Sequence, residues 1–150
     1  GTVFRLLFPF DKATALLPQM NNVSHHESTI TMVQKESSDE RLISEVTRAI
    51  EQNMSDSDFN VSRLQEIIGI GNKQLYRKVK QITGRTPVEY IRDIRMRKAA
   101  VLLREGKFAV SEVMYMVGFS NSGYFSKCFQ KTIGMTPTEY LSLRFFRNLE

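Results

Sequence analysis

The stretch GRTPVEY, residues 84–90, returns fifty positions later as GMTPTEY, residues 134–140. Five of the seven positions are identical. In each copy a glycine stands two residues before Thr-Pro. Glycine commonly ends a helix, and proline is well placed in the first helical turn because its missing N–H has no partner there anyway. The two stretches therefore predict the same boundary between two helices, used twice in one chain.

The repeat extends upstream of these stretches. Leu75 and Arg77 correspond to Phe125 and Lys127 at an offset of fifty, whereas Gly69 corresponds to Gly118 at an offset of 49. The second turn therefore contains one more residue than the first. Each copy reads as a short helix, a glycine turn and a longer helix, which is typical of a helix-turn-helix unit. A repeat present only twice does not predict a solenoid.

Apolar periodicity and end signals predict seven helices. Ser37 and Glu40 have capping-box spacing, which predicts that the first helix covers about 38–54. The others are expected at about 61–68, 72–82, 87–104, 110–117, 121–133 and from 137 onward.

The fourth of these helices is apolar on more than one side, which is typical of a helix buried between two partners. Its apolar residues form two sets: Tyr90, Ile94 and Val101 on one side, and Met96, Ala100 and Leu103 on another. The predicted fold is all-α, with two helix-turn-helix subdomains joined by a long central helix.

The first 36 residues do not follow this pattern. Residues 1–10 are predicted to form one short strand ended by Pro9, and residues 11–36 a polar linker without periodicity. A single strand cannot bury itself, so it is either a remnant of a preceding domain or an ordered arm. The helix-turn-helix domain is expected to occupy residues 37–150.

Composition narrows the class of function. The 150-residue chain carries a net charge of +5, and lysine and arginine outnumber aspartate and glutamate by eleven to three between residues 71 and 107. Such a balance favours an acidic partner, nucleic acid or a membrane surface. A single cysteine, Cys128, excludes an intrachain disulfide and fits a reducing compartment. The absence of a signal peptide or an apolar run long enough to span a membrane favours a cytoplasmic location.

Chemistry-bearing motifs are missing from the sequence. It shows no Ser/His/Asp set, no paired carboxylates and no glycine-rich phosphate loop, and His25-His26 stands without further candidate ligands. We therefore expect no enzymatic activity, no metal and no cofactor.

The second helix of each unit is the candidate for reading DNA. In a helix-turn-helix this helix enters the major groove, and its outward face needs side chains that reach bases and phosphates. Neither helix contains an acidic residue. The first carries the candidates opposite Leu75 and Val79, and the second carries them opposite Phe125 and Phe129. The candidates are Lys73, Gln74, Tyr76, Arg77 and Lys80 in the first unit, and Asn121, Ser122, Gly123, Tyr124, Lys127 and Lys131 in the second.

Residues 38–145 resemble the AraC/XylS family of bacterial transcription regulators. The resemblance is carried by LQEIIGIGNKQLYRKVKQITGRTPVEYIRDIRMRKAAVLL, beginning at Leu64, and by VSEVMYMVGFSNSGYFSKCFQKTIGMTPTEY, beginning at Val110. It implies seven helices, sequence-specific binding to double-stranded DNA and control of transcription. It also implies base contacts from Lys73, Tyr76 and Arg77 in the first unit, and from Ser122, Gly123, Tyr124 and Lys127 in the second.

The segment QLYRKVKQITG, residues 74–84, is most similar to output domains of hybrid two-component sensors. The segment GTVFRLLFP, residues 1–9, resembles the last strand of a histidine-kinase ATP-binding domain. The chain would then belong to the cytoplasmic portion of a membrane sensor. We further expect RNA polymerase as a partner, and dimerisation only through upstream domains.

The sequence departs from the family in three places. Gln65 and Met114 replace a small alanine in the short helices, and Gly71 replaces the serine that usually caps the first reading helix. Arg92, Arg95 and Arg97 lie on the buried central helix, so structural ion pairs are favoured there over DNA contact.

An alternative from another class is a helical protein-interaction module that docks on polymerase or on a kinase core. Its affinity would depend little on salt, whereas DNA binding falls steeply as salt rises.

Overall fold

The computed structural model describes residues 27–147, with the side chains of residues 38–144 and 146. The predicted strand, the two histidines and most of the predicted linker lie outside this range. The described part is all helical. Its seven helices are α1 (Glu27–Gln52), α2 (Val61–Ile68), α3 (Asn72–Thr83), α4 (Pro87–Glu105), α5 (Val110–Met116), α6 (Ser122–Ile133) and α7 (Pro137–Arg147).

The predicted start of α1 is wrong. The helix begins at Glu27, so residues 27–36 are helical, and Ser37 lies inside the helix rather than capping it. No glycine or proline stands between residues 27 and 52, so nothing interrupts the backbone hydrogen bonds. A serine inside a helix costs only a few tenths of a kcal/mol. The other six helices begin and end within about two residues of their predicted bounds.

The long helix α4 belongs to both halves of the fold. In the first half α1, α2 and α3 contact one another, and α1 and α3 contact α4. In the second half α5, α6 and α7 contact α4, and α6 contacts both α5 and α7. The prediction of two helix-turn-helix subdomains joined by a central helix is therefore confirmed.

The core explains why α4 is apolar on several sides. Tyr90, Ile94, Met96 and Leu103 of α4 are all buried. Val101 is the exception among the predicted set, because 43% of it is exposed. The fully buried side chains of the neighbouring helices include Ile50, Leu64, Leu75, Val79, Val113, Phe125 and Phe129.

The repeated Thr-Pro-x-Glu-Tyr element forms the same hydrogen bonds at the start of a helix in both copies. Thr86 Oγ1 accepts a hydrogen bond from Glu89 N at 3.3 Å, while Glu89 Oε2 accepts one from Thr86 N at 2.9 Å. Thr136 and Glu139 form the matching pair, at 3.2 and 2.8 Å. These reciprocal bonds are capping boxes, and each satisfies two donors that a helix start otherwise leaves unpaired.

The tyrosines that close these elements join helices. The hydroxyl of Tyr90 lies 2.9 Å from Thr47 Oγ1 of α1. The hydroxyl of Tyr140 accepts a hydrogen bond from Arg104 of α4 at 3.1 Å, and its ring packs edge-on against Phe129 at 5.6 Å. Each copy of the element therefore starts a helix and also fixes it to a neighbour.

Buried Asp93 connects the two subdomains. Its Oδ2 lies 3.4 Å from Arg85 Nε, in the turn between α3 and α4, and its Oδ1 accepts a long hydrogen bond of 3.4 Å from Thr132 of α6. The Arg85 contact is an ion pair without hydrogen-bond geometry, because Oδ2 has no hydrogen-bond partner. One carboxylate thus contacts the turn that follows α3 in the first unit and the end of α6 in the second.

We expect Gly118→Ala to destabilise the fold more than Gly134→Ala. Both glycines have positive φ, 81° and 95°, so either substitution costs about 1–2 kcal/mol of backbone strain. A Cβ at Gly118 would also lie 2.6 Å from the Met54 carbonyl oxygen, whereas nothing lies within 4 Å at Gly134. Displacing that carbonyl should add roughly 1–3 kcal/mol. Urea unfolding of both variants measures the difference, and equal losses would contradict a close approach at Gly118.

The capping boxes predict a pH dependence of stability. The backbone hydrogen bonds from Thr86 and Thr136 lower the pKa of Glu89 and of Glu139 below the ordinary value of 4.5. Since the folded-state pKa is the lower one, this contribution is present above pH 4.5 and is lost as pH falls through the folded-state pKa. Urea midpoints measured between about pH 6 and pH 3 should fall more for the wild type than for the double variant E89Q/E139Q. Glu51→Gln, an exposed change on α1, is the control and should follow the wild type.

Candidate nucleic-acid interface

The exposed face of α3 is basic and aromatic. Leu75 and Val79 are fully buried and hold the helix against the core. Lys73, Arg77 and Lys80 are exposed on the outer side, as are Gln74 and Tyr76. No acidic side chain lies within the helix. The face predicted from the sequence is therefore a single accessible surface.

Lys78 shows why not every basic residue of α3 belongs to that surface. It is half-buried, and its Nζ lies 3.1 Å from Asp39 Oδ1 of α1. That ion pair directs Lys78 toward α1. The remaining basic residues of α3 form no ion pair among the residues that the structure describes.

The exposed face of α6 follows the same arrangement. Phe125 and Phe129 are buried, while Ser122, Gly123, Tyr124, Lys127 and Lys131 are exposed. Asn121 is exposed at the start of the helix, and its Oδ1 accepts a hydrogen bond from Tyr124 N at 2.8 Å. The ring of Tyr124 lies 5.6 Å from that of Phe119. That contact leaves Tyr124 about half exposed.

The helices α3 and α6 differ in how their N-termini are capped. Gly71 caps α3 without any side-chain hydrogen bond, whereas Asn121 caps α6 with its carboxamide. The turn before α6 is also longer, covering residues 117–121 against 69–71. The difference is two residues: one is the extra residue predicted from the change of offset, and the other arises because α5 ends at Met116, one position before the residue that corresponds to Ile68. The second helix also begins with the stronger cap.

Among the residues that the structure describes, Arg92, Arg95 and Arg97 do not form the ion pairs expected from the sequence. Arg95 is buried, and its Nη2 donates to the Asp56 carbonyl oxygen at 2.7 Å rather than to a carboxylate. Burial lowers the pKa of Arg95, and the nearby Asp56 charge offsets part of that effect. Arg92 is half-buried and has no ion pair within the described residues. In the sequence, the three-residue spacing of Arg92 and Arg95 already indicated that both side chains lie on one face of α4.

Three further features bear on what the chain can do. Cys128 is buried. Within residues 27–147 no group of His, Cys, Asp and Glu could hold a metal ion. None of the helices in that range combines the length and the apolar character that crossing a membrane requires.

Comparison with known proteins places this arrangement in a family. The model of a helix-turn-helix domain of the AraC/XylS type matches residues 64–142, more than half of the chain. This match covers α3, α6 and the long helix α4 between them. The chain belongs to this family of helix-turn-helix domains.

Three relatives show the range of proteins that contain such a domain. Histidine kinase P4 of Formosa agariphila is 36% identical over 128 residues, which is 83% of this chain and 9% of the kinase. The HTH-type transcriptional activator RhaS of Escherichia coli is 33% identical over 82 residues, 55% of this chain and 30% of RhaS. The C-terminal domain of AraT, a response regulator from Geobacillus stearothermophilus, superposes with a TM-score of 0.62 at 28% identity, covering 68% of this chain and 84% of that domain. The chain spans less than a third of both curated relatives.

Gly123→Ala should stabilise the fold. Gly123 lies in the first turn of α6 without positive φ, and an added Cβ would meet only Asn121 Oδ1 at the ordinary distance of 3.4 Å. Alanine is favoured over glycine in a helix by up to about 1 kcal/mol. Thermal unfolding should show a Tm raised by a few degrees. A lower Tm would mean that this turn needs glycine for its backbone geometry.

Proposed function

We propose that residues 37–150 form a sequence-specific DNA-binding domain that regulates transcription, with α3 and α6 entering two adjacent segments of the major groove. The observation that carries this proposal is the pairing of two exposed basic faces, each on a helix free of acidic residues, on one helical scaffold. A phosphate-rich partner favours such faces, because lysine and arginine neutralise its charge and release counterions.

The length of α4 supports simultaneous contact. Its 19 residues span roughly 28 Å at 1.5 Å per residue. Successive major-groove faces on one side of a duplex lie about 34 Å apart. A helix of this length can therefore hold two reading helices against neighbouring turns of DNA within one monomer.

The individual side chains have different tasks in this proposal. Arg77 reads a base edge, for which its planar guanidinium offers two parallel donors. Lys73 contacts a base or a phosphate beside it, and Lys127 has the corresponding role in the second unit. Asn121 and Ser122 approach the DNA at the start of α6. The remaining predicted contacts, to bases, sugars or phosphates, come from Gln74, Tyr76, Lys80, Gly123, Tyr124 and Lys131.

The domain acts as the output module of a larger sensor in this proposal. The similarity to histidine kinase P4 covers most of this chain, and AraT is described as a response regulator. The upstream domains would supply the signal and the dimer contact, and the domain itself would catalyse no reaction. It would work in the cytoplasm, with RNA polymerase as its protein partner.

Exposed apolar side chains favour a second candidate function, docking on another protein. Tyr115 of α5 is 61% exposed, and Phe146 of α7 is 67% exposed. Isolated exposed apolar residues are common, but here they belong to helices outside the reading faces. If the chain were only a protein-interaction module, these residues rather than Arg77 would determine its affinity.

Arg77→Ala should weaken binding to the selected DNA site more than binding to random duplex. Loss of one good base contact is worth roughly 1–3 kcal/mol of discrimination, which corresponds to about 5- to 150-fold. The site is first obtained by selection from random duplexes, and affinities are then measured by fluorescence anisotropy. Arg48→Ala, which removes an exposed arginine from α1, is the control of equal charge. Equal losses on both duplexes would exclude base reading by Arg77.

The same titrations at several salt concentrations separate the two candidate functions. If several phosphates are neutralised, the logarithm of the association constant falls with log salt by about 0.9 per phosphate. A protein-docking module would show no DNA binding in this assay.

A further inference from the structure

A groove of about 490 Å³ lies between the two helix-turn-helix units. Its first wall is the turn before α2 and the start of that helix, including Ser57 and Ser62. Arg92 and Arg95 of α4 form its floor. The opposite wall is the turn before α6, with further lining from Phe119, Ser120, Asn121 and Tyr124. Both subdomains therefore contribute to one concave surface.

The lining of the groove is electropositive. None of its lining residues is acidic, and two are arginines. Arg92 is half-buried and has no ion pair within the described residues. Asp56, whose charge acts on Arg95, does not line the groove. Arg92 therefore supplies a positive charge that is not paired with a carboxylate of the described residues.

Arg95 adds an unsatisfied donor beneath the groove. Only 7% of Arg95 is exposed, and its Nε has no hydrogen-bond acceptor. Its guanidinium carbon lies 6.0 Å from the centre of the Phe119 ring, and Nη2 is held by the Asp56 carbonyl oxygen. These contacts fix the guanidinium at the floor of the groove. A buried donor without a partner is costly unless a ligand supplies an acceptor for it.

Two helices begin at the rim of the groove. Asn60 caps α2 by accepting from Arg63 N at 3.1 Å, and Asn121 caps α6 in the same way. Each cap satisfies one N–H and leaves other first-turn N–H groups without an intrahelical partner. Helix starts of this kind attract anions, and here they reinforce the charge of Arg92.

We propose that this groove binds a phosphate group, and that the phosphate belongs to the DNA strand running between the two major-groove segments. This inference rests on the proposed function. Asn121 and Tyr124 line the groove and also belong to the exposed face at the start of α6. The groove is therefore continuous with the surface proposed to read bases. A strand that leaves α6 along this surface meets Arg92 before it reaches the first unit.

Arg92→Gln tests the charge requirement. The variant should bind the selected site and random duplex with equal losses of roughly tenfold, because a phosphate contact carries no sequence information. The slope of log affinity against log salt should decrease in magnitude by about 0.9. Arg48→Gln, the same chemical change at an exposed position of α1, should alter neither quantity. Unchanged binding and slope in R92Q would overturn the proposal.

Uncharged methylphosphonate linkages identify which DNA phosphate Arg92 contacts. Duplexes carrying a single methylphosphonate at each position between the two half-elements are titrated with the wild type and with R92Q. At one position the substitution should weaken the wild type roughly tenfold and leave R92Q unaffected, since the charge pair is already lost. If every substitution weakens both proteins equally, Arg92 contacts no DNA phosphate and the proposal fails.

Inorganic phosphate distinguishes the DNA strand from a free ligand. The amide signals of Ser120 and Asn121 are followed by NMR at constant ionic strength, with chloride as the reference anion. Saturable shifts together with a coupled methylphosphonate position support the proposal. Saturable shifts without such a position would assign the groove to a soluble phosphorylated ligand and overturn the DNA assignment. If the wild type selects no DNA site, the proposed function itself is refuted. If the wild type selects a site and R92Q binds it equally well, only the phosphate assignment of the groove fails.

Discussion

Burial of α4 on two sides is the constraint on which the rest of the structure depends. Tyr90, Ile94, Met96 and Leu103 are all buried, and no single partner helix could cover them. Two three-helix groups therefore pack against one helix, and α3 and α6 are held at defined positions along it. Because the hydrophobic free energy is proportional to the apolar area buried, separating the halves would expose both sides of α4 to water.

Hydrogen bonds and ion pairs fix the relative positions of helices that apolar packing holds together. The two capping boxes start α4 and α7 at defined residues, and Tyr90 and Tyr140 then connect those helices to neighbours through hydrogen bonds. Asp93 goes further, because it reaches Arg85 of the first half and Thr132 of the second. Hydrogen bonds and ion pairs are directional, so they limit rotation of the units about α4, which apolar contacts alone would permit.

The basic residues of this chain have three separate roles. The exposed ones on α3 and α6 (Lys73, Arg77, Lys80, Lys127 and Lys131) face outward and are proposed to read DNA. Lys78 and Arg85 pair with carboxylates and stabilise helix packing. Arg95 is buried beneath the groove between the units and is held by a backbone carbonyl oxygen. Net charge alone does not separate these roles, because each depends on which helix face carries the residue and on what lies opposite.

The sequence by itself determined the number of helices, most of their ends and the duplication of the unit. These features are local: glycine with positive φ, proline at a first turn and apolar spacing each act within a few residues. The exposed residues of α3 and α6 were also predictable, since the opposite face of each helix is apolar. The start of α1 was not, because a capping-box pattern can lie inside a longer helix when nothing interrupts it. Only the tertiary structure decided that Asp93 joins both halves, that Arg95 bonds a carbonyl, and that Arg92 faces a groove. Those relations join residues up to 39 positions apart, and the chain brings them together only when α4 is buried from both sides.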